Sequence, residues 1–399
     1  MKIGIDASRA NVENKTGTEW YSYWLIKEFS KIADPNDQYF LYTKEKLRPE
    51  YHGLPTNFHS QVLSWPPKFL WTQIRLSIRL AIKPVDVLFV PAHTLPLIQG
   101  KRTVLTVHDI GFERLHELYS KEAIGGRRLR KKILSAGTRI FTKGRYGSSE
   151  LDYHRWAMRS AITKASQIIV PSNFTKNEVI DVYGIPEKRI QVIYHGVDQN
   201  IYHPMADAST IQNELDRLKI STPYFLYVGR LEKKKNTAGL VKAFSIFKHE
   251  TKLPHTMILA GQPGYGFDEV RNEILRNNLA SEIIMPGYLQ PKTLVALLNK
   301  ATGFVFPSFY EGFGLPLLEA MACGSPVVAS RTASIPEVAG DAAELFETER
   351  CDELAAILKR LATDDDYRRN LRQRGFSRIN RFRWDECARK TLAVITGAS

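Results

Sequence analysis

The sequence predicts an α/β protein made of two parallel-sheet domains. Its 399 residues exceed what one hydrophobic core usually organises. Short β-branched and apolar runs alternate with helical patterns in both halves, and each run closes on a Gly, Pro or polar turn. Ile3 to Ile5 opens the series, and residues 85–90, 102–107, 167–170 and 189–193 continue it. Runs this uniformly apolar belong to strands covered on both faces, as in parallel sheets. After Tyr194-His195-Gly196-Val197-Asp198 the pattern loosens through Pro204 and Pro223, which places a domain linker near residues 196–221. A second series follows at residues 224–228, 256–260, 282–285, 303–306 and 325–329. The expected boundaries are 1–198 for the N-terminal domain and 199–379 for the C-terminal one.

Composition narrows the function classes. Hydrophobic residues at 43% and charged residues at 25% exclude a disordered or fibrous chain. No apolar run approaches the ~18 residues that span a bilayer, and the N-terminus enters a strand pattern rather than a signal peptide, so a cytoplasmic protein is expected. Cys323, Cys351 and Cys387 lack C-x-x-C spacing and read as structural thiols of a reducing compartment. The net charge of +14 is concentrated in residues 121–145, where nine bases stand against Glu122. Leu129, Ile133 and Leu134 lie at helical spacing among those bases. The stretch reads either as a basic amphipathic helix on anionic lipid head groups, peripheral at the cytoplasmic face of the membrane, or as a solvated helix face. Nucleic-acid binding is not expected, since no zinc spacing, helix-turn-helix or aromatic-basic signature accompanies the charge.

In parallel α/β domains, ligands sit beyond the carboxyl ends of the strands, and the candidate chemistry falls there. The richest segment runs from Pro307 to Ala322. A strand ends near Phe306, a loop carries Glu311, Gly312, Phe313 and Gly314, and Leu315-Pro316 stands where a helix can start. The glycines let backbone N–H groups approach a ligand, and the helix N-terminus favours a diphosphate. Glu311 on the loop and Glu319 on the first turns of the helix would accept hydrogen bonds from sugar and ribose hydroxyls respectively. A plainer reading makes Glu311 a surface residue and Glu319 a helix-start acid. Gly229 at another strand end precedes Arg230 and Lys235, a forked donor and a point charge suited to a diphosphate. Lys233 and Lys234 are assigned to solvent. His108 and Asp109 follow the strand at 102–107. His108 would bind a donor sugar or organise the reacting groups, with Asp109 orienting it or meeting an acceptor; a satisfied structural histidine is the alternative. Gly17 is a candidate backbone contact or a simple turn. Ser172 is a candidate helix cap. Asp364-Asp365-Asp366 contains an Asp-x-Asp, but its place between helical patterns suits a cap, and no metal is expected.

Glu311 to Glu319 has the E-x-F-G-x(4)-E arrangement, and Gly229 to Asn236 the G-R-x(4)-K-N arrangement, of the retaining glycosyltransferases of family 4, the group 1 family with the GT-B fold. The sequence resembles that family over essentially its whole length. The resemblance implies two Rossmann-like domains with parallel sheets facing across a central cleft, and a C-terminal helix, 380–399, that completes the first domain. It implies a nucleotide-sugar donor bound by Gly17, Gly229, Arg230, Lys235, Glu311, Gly312, Phe313, Gly314, Leu315 and Glu319, with His108, Asp109 and Glu311 as catalytic residues. No cofactor is implied, the nucleotide-sugar being a co-substrate, and the acceptor is a hydroxyl of a glycan or a lipid-linked glycan. The pattern is most similar to bacterial mannosyltransferases of surface-polysaccharide assembly, which points to GDP-mannose. Two departures stand out: one glycine, Gly17, replaces the usual G-x-G, and His195 stands where Asn is commoner. A sugar-nucleotide epimerase on the same fold and a non-enzymatic membrane or nucleic-acid adaptor are the competing readings.

Overall fold

The computed structural model describes residues 1–65, 70–119, 150–221 and 223–398, so the basic stretch 121–145 lies outside the described residues. The chain divides into two compact units, the first holding Met1–His116, the described residues onward to His195, and the segment from Trp384. The second holds Gly196–Arg383 together with Glu117–Tyr119.

The first unit is a seven-stranded parallel sheet in the order β3-β2-β1-β4-β5-β6-β7. Its strands are β1 (Lys2–Asp6), β2 (Gln38–Thr43), β3 (Phe58–Val62), β4 (Val87–Val90), β5 (Arg102–Thr106), β6 (Gln167–Val170) and β7 (Ile190–Val192). The helices are α1 (Gly17–Ile32), a π-helical turn at Trp71–Leu76 that runs into α2 (Ser77–Ile82), α3 (Gly111–Arg114), α4 (Glu150–Lys164) and α5 (Asn173–Tyr183). Ile3, Leu25, Phe29, Phe89, Leu105 and Ile168 are fully buried in its core. Each such side chain contributes roughly 1.5–3 kcal/mol by leaving water. Thr16 and Glu19 form a capping box, so Gly17 opens α1 as its first helical residue and is not part of a turn. Ser172 caps α5, its hydroxyl accepting from the Thr175 N–H at 3.1 Å.

The second unit begins with a helix that the sequence reading missed. Residues 208–217, inside the expected linker, form α6 (Ala208–Arg217), capped by Asp207 and seated by the buried pair Ile211 and Leu215. Its sheet is parallel and six-stranded, in the order β10-β9-β8-β11-β12-β13. The strands are β8 (Tyr224–Val228), β9 (Thr256–Ala260), β10 (Ile283–Gly287), β11 (Gly303–Phe306), β12 (Val327–Ser330) and β13 (Ala343–Phe346). Between them run α7 (Thr237–Thr251), α8 (Phe267–Arg276), α9 (Pro291–Lys300), α10 (Leu315–Ala322) and α11 (Ile335–Ala339), followed by α12 (Cys351–Thr363) and α13 (Asp365–Ile379). Phe225, Tyr227, Phe244, Phe247 and Leu259 fill the core. Asp364 caps α13 through the Tyr367 N–H at 2.8 Å, which gives the acidic run its structural place. The last helix, α14 (Trp384–Thr396), belongs to the first unit, where the Trp384 and Trp24 rings stack 6.4 Å apart.

Three strands, β2, β3 and β13, were not expected. β3 and β13 are edge strands in which polar residues, His59, Ser60 and Gln61 in the one and Glu344 in the other, break the apolar run that marks the inner ones.

Candidate functional site

In a doubly wound sheet the ligand crevice opens where strand order reverses, because the loops leaving the two strands on either side diverge. In the second unit that point lies between β8 and β11. The β8 loop carries Gly229, Arg230 and Lys235; the β11 loop carries Glu311. Lys235 and Glu311 meet there, the ammonium donating to the carboxylate, which also accepts from the Ser308 hydroxyl at 2.7 Å. Glu311 is therefore buried, contrary to its plainer reading as a surface residue. The Arg230 guanidinium lies mostly in solvent, 3.5 Å from Glu232.

The three lysines occupy a 3-10 turn, Lys233–Lys235, which points successive side chains about 120° apart. This corrects the assignment of the other two to solvent. Lys233 pairs with Glu269 at 3.4 Å, and the Lys234 ammonium sits 5.4 Å from the centre of the Tyr119 ring. The β8 loop is laced to the turn after β9 by backbone bonds, Gly229 N to Ala260 O at 2.9 Å, Leu231 N to Gln262 O at 2.9 Å and Lys233 N to Tyr265 O at 2.8 Å. Gly261 permits that approach. Its φ is +152°, and a Cβ there would fall 1.8 Å from the Gly229 carbonyl oxygen.

Hydroxyls brace the β11 loop. Ser334 donates to the Glu311 carbonyl at 2.9 Å and is 3.2 Å from that of Phe313; Ser330 donates to Ser308 O at 2.6 Å and Thr332 to Phe309 O at 3.2 Å. Gly312 is buried within the loop. Phe313 packs edge-on against Phe382 with ring centres 5.8 Å apart. Gly314, at φ +101°, turns the chain into α10, whose first residues are Leu315 and Pro316. Glu319 lies one turn further on, partly exposed, with Tyr202 near its carboxyl. Burial pushes its carboxyl up to about 7, and the nearby Tyr202 hydroxyl opposes that rise.

In the first unit, His108 follows β5 and places Nε2 3.1 Å from the Pro91 carbonyl after β4. A carbonyl only accepts, so Nε2 carries the proton and Nδ1 keeps its lone pair. The ring lies edge-on to Tyr21 at 4.8 Å and 5.4 Å from His195. Burial lowers its pKa to about 4, which keeps the imidazole neutral at pH 7. The Asp109 carboxylate accepts the Gly111 N–H at 3.2 Å and so shapes the entry to α3. Gly17 stands at the exposed start of α1, with open space where a side chain would be.

Sequence reasoning missed Tyr202, Ser308 and Ser334. Ser308 lies three residues before Glu311 and was within reach of a local reading. Tyr202 and Ser334 act across 117 and 23 residues of chain, and nothing near them in sequence marks them.

Two Rossmann-like domains are the architecture of the GT-B class of glycosyltransferase folds. Residues 17–200 match the model for Glycosyltransferase Family 4 and residues 212–378 that for Glycosyl transferases group 1. The chain belongs to this family. Over 63% of its length it is 32% identical to the O-antigen chain mannosyltransferase B of Escherichia coli, and the match covers 66% of that protein. It is 29% identical over 58% of its length to the E. coli serotype-specific mannosyltransferase WbdA, of which the match covers 29%. The chain thus spans less than two thirds of the length of these curated relatives. Among solved structures, Anabaena Alr3699/HepE in complex with UDP-glucose is similar in fold, with a TM-score of 0.71 at 18% identity and full coverage of both chains.

Proposed function

We propose that this protein transfers a sugar, with mannose from GDP-mannose favoured, to a hydroxyl of a glycan or lipid-linked acceptor, with retention of anomeric configuration. The observation that carries the proposal is the Lys235–Glu311 pair at the β8/β11 reversal, beside the solvent-facing Arg230. A diphosphate placed there would draw the Lys235 ammonium, and Glu311 would then be free to accept sugar hydroxyls. The backbone around Gly312 to Leu315 and the start of α10 would meet the phosphates. Glu319 would take the ribose diol.

In the reaction, the bond between sugar C1 and the diphosphate oxygen breaks. The acceptor oxygen bonds to C1 on the same face and passes its proton to the departing diphosphate oxygen. Arg230, Lys235 and the helix start would stabilise the leaving diphosphate in the role a metal plays elsewhere. The neutral His108 imidazole would hold the reacting hydroxyls, with Asp109 fixing the chain beside it. The names of the two E. coli relatives favour mannose; the UDP-glucose held by the Anabaena protein keeps uridine donors in the test. We include peripheral contact with an anionic membrane through residues 121–145 in the proposal.

The test is thermal unfolding against GDP-, UDP- and ADP-sugars, with Glu319→Ala and Arg230→Ala alongside. One nucleotide class should stabilise the native protein, by about 2.7 kcal/mol at a hundredfold excess over its Kd, and both variants should lose that gain. Product formation from the same donor with an acceptor glycan, unchanged by EDTA, completes it. Absence of a shift with every donor would overturn the proposal, and sugar-nucleotide isomerisation without acceptor would replace it by an epimerase.

A further inference from the structure

His195, which stands where Asn is commoner in the family, is the residue at which the chain leaves the first unit, and Trp384 is the one at which it returns. Within that unit their rings stack, with centres 6.0 Å apart and planes 18° from parallel. Trp384 stacks in turn on Trp24 of α1, at 6.4 Å and 20°, and Trp24 on Trp20, at 6.4 Å and 22°. A column of aromatic rings thus leads from α1 to His195, and His195 passes it on to His108, whose ring centre lies 5.4 Å away at a tilt of 58°. Tyr21 fills the corner between the two histidines, 4.8 Å from His108 and 4.5 Å from His195. It is fully buried, and its hydroxyl lies 3.1 Å from that of Thr106 at the end of β5. His195 itself is 3% exposed.

We infer that His195 is a positioning residue for His108: its ring, backed by Trp384, is a wall that keeps the His108 imidazole turned toward the Pro91 carbonyl. The role depends on His108 being the residue that holds the reacting hydroxyls, as proposed above. A single hydrogen bond at Nε2 does not fix an imidazole, because the torsion about its Cβ–Cγ bond is broad. Neighbouring rings remove that freedom. Tyr21 meets His108 edge-on but leans on His195 in its turn, so both contacts depend on the ring at position 195. The orientation decides the chemistry: while Nε2 faces Pro91 O it carries the proton, and Nδ1 is left as the acceptor. Burial holds His195 well below the ordinary histidine pKa, and a charge on His108 would push it the same way, so two neutral rings meet by packing and not by charge. An Asn at 195 would bring an amide and no ring, and both Trp384 and His108 would lose their neighbour.

The experiment is nitrogen-15 NMR of histidine-labelled protein as wild type, His195→Asn and His195→Phe, with His108→Asn to identify the His108 signals. Turnover of GDP-mannose with an acceptor glycan is measured beside it. The wild type should show one protonated and one unprotonated His108 nitrogen. In His195→Asn the two signals should move toward each other as the tautomers mix, and turnover should fall about tenfold with GDP affinity unchanged. His195→Phe returns a flat ring of similar size, so it should keep the signals apart and stay within about threefold of wild-type turnover. Added to His108→Asn, His195→Asn should cost no further turnover, since a residue acting through His108 has nothing left to position. Unchanged His108 signals in His195→Asn overturn the inference, as do mixed signals in His195→Phe or an additive loss in the double variant. The signals are read without substrate, so they decide the positioning even where no donor turns over. Mixed signals with full turnover overturn the catalytic reading of His108 instead.

Discussion

His108 illustrates how a single side chain is set for its task by neighbours it does not resemble. Packed against Tyr21 and held to the Pro91 carbonyl, its imidazole stays neutral down to about pH 4. It can then donate from one nitrogen and accept at the other, but it cannot supply a fixed positive charge. Binding of the nucleotide is assigned to residues of the second unit, so the two roles separate in an experiment. His108→Asn keeps a donor for Pro91 and removes the imidazole. We expect turnover to fall by about a hundredfold or more with nucleotide affinity unchanged, read from single-turnover transfer beside nucleotide titration. A loss confined to nucleotide affinity would show that the histidine belongs to donor binding instead.

Among the elements, the loops after β8 and β9 act as one piece. Four backbone hydrogen bonds tie them, and Leu231 pairs with Pro263 as a short bridge beyond the strands. The clamp bearing Arg230 and Lys235 therefore takes its shape from a turn some thirty residues away. Gly261 is where this shape is most exposed to substitution. An added methyl would meet the Gly229 carbonyl oxygen at 1.8 Å, in a backbone conformation that side chains rarely adopt. Gly261→Ala should cost about 3 kcal/mol or more, measured as a lower urea midpoint, and should abolish stabilisation by the nucleotide in whatever protein still folds. Unchanged nucleotide binding would mean that the clamp does not depend on the lacing.

For the whole molecule, charge is the property that no single element explains. More than half of the +14 lies in residues 121–145, and no helix among the described residues is long and apolar enough to cross a membrane. The first unit adds exposed apolar side chains: Ile78 and Ile82 on α2, and Leu97 and Ile98, whose N–H groups the Ser77 hydroxyl accepts at 2.8 and 3.2 Å. Arg75, Arg79, Lys83 and Lys101 stand in that part of the chain against Asp86. Such a combination suits an anionic bilayer surface. The protein should sediment with phosphatidylglycerol vesicles and not with phosphatidylcholine ones, and replacing the nine bases of 121–145 by Gln should release it, as about 0.5 M salt should. Equal binding to both vesicle types would refute a charge-driven contact.

The sequence by itself determined the inner strands other than β2, since a strand buried on both faces leaves a continuous apolar run, and it determined which residues stand at their ends. It also singled out Arg230, Lys235, Glu311, Glu319 and His108 as candidates, because phosphate clamps and helix starts use neighbours along the chain. Only the tertiary structure decided the edge strands β3 and β13, whose polar residues leave a broken pattern. It alone paired Lys235 with Glu311 across 76 residues and brought Tyr202 near Glu319. Those contacts depend on where strand order reverses in a folded sheet, and sheet order has no local signature.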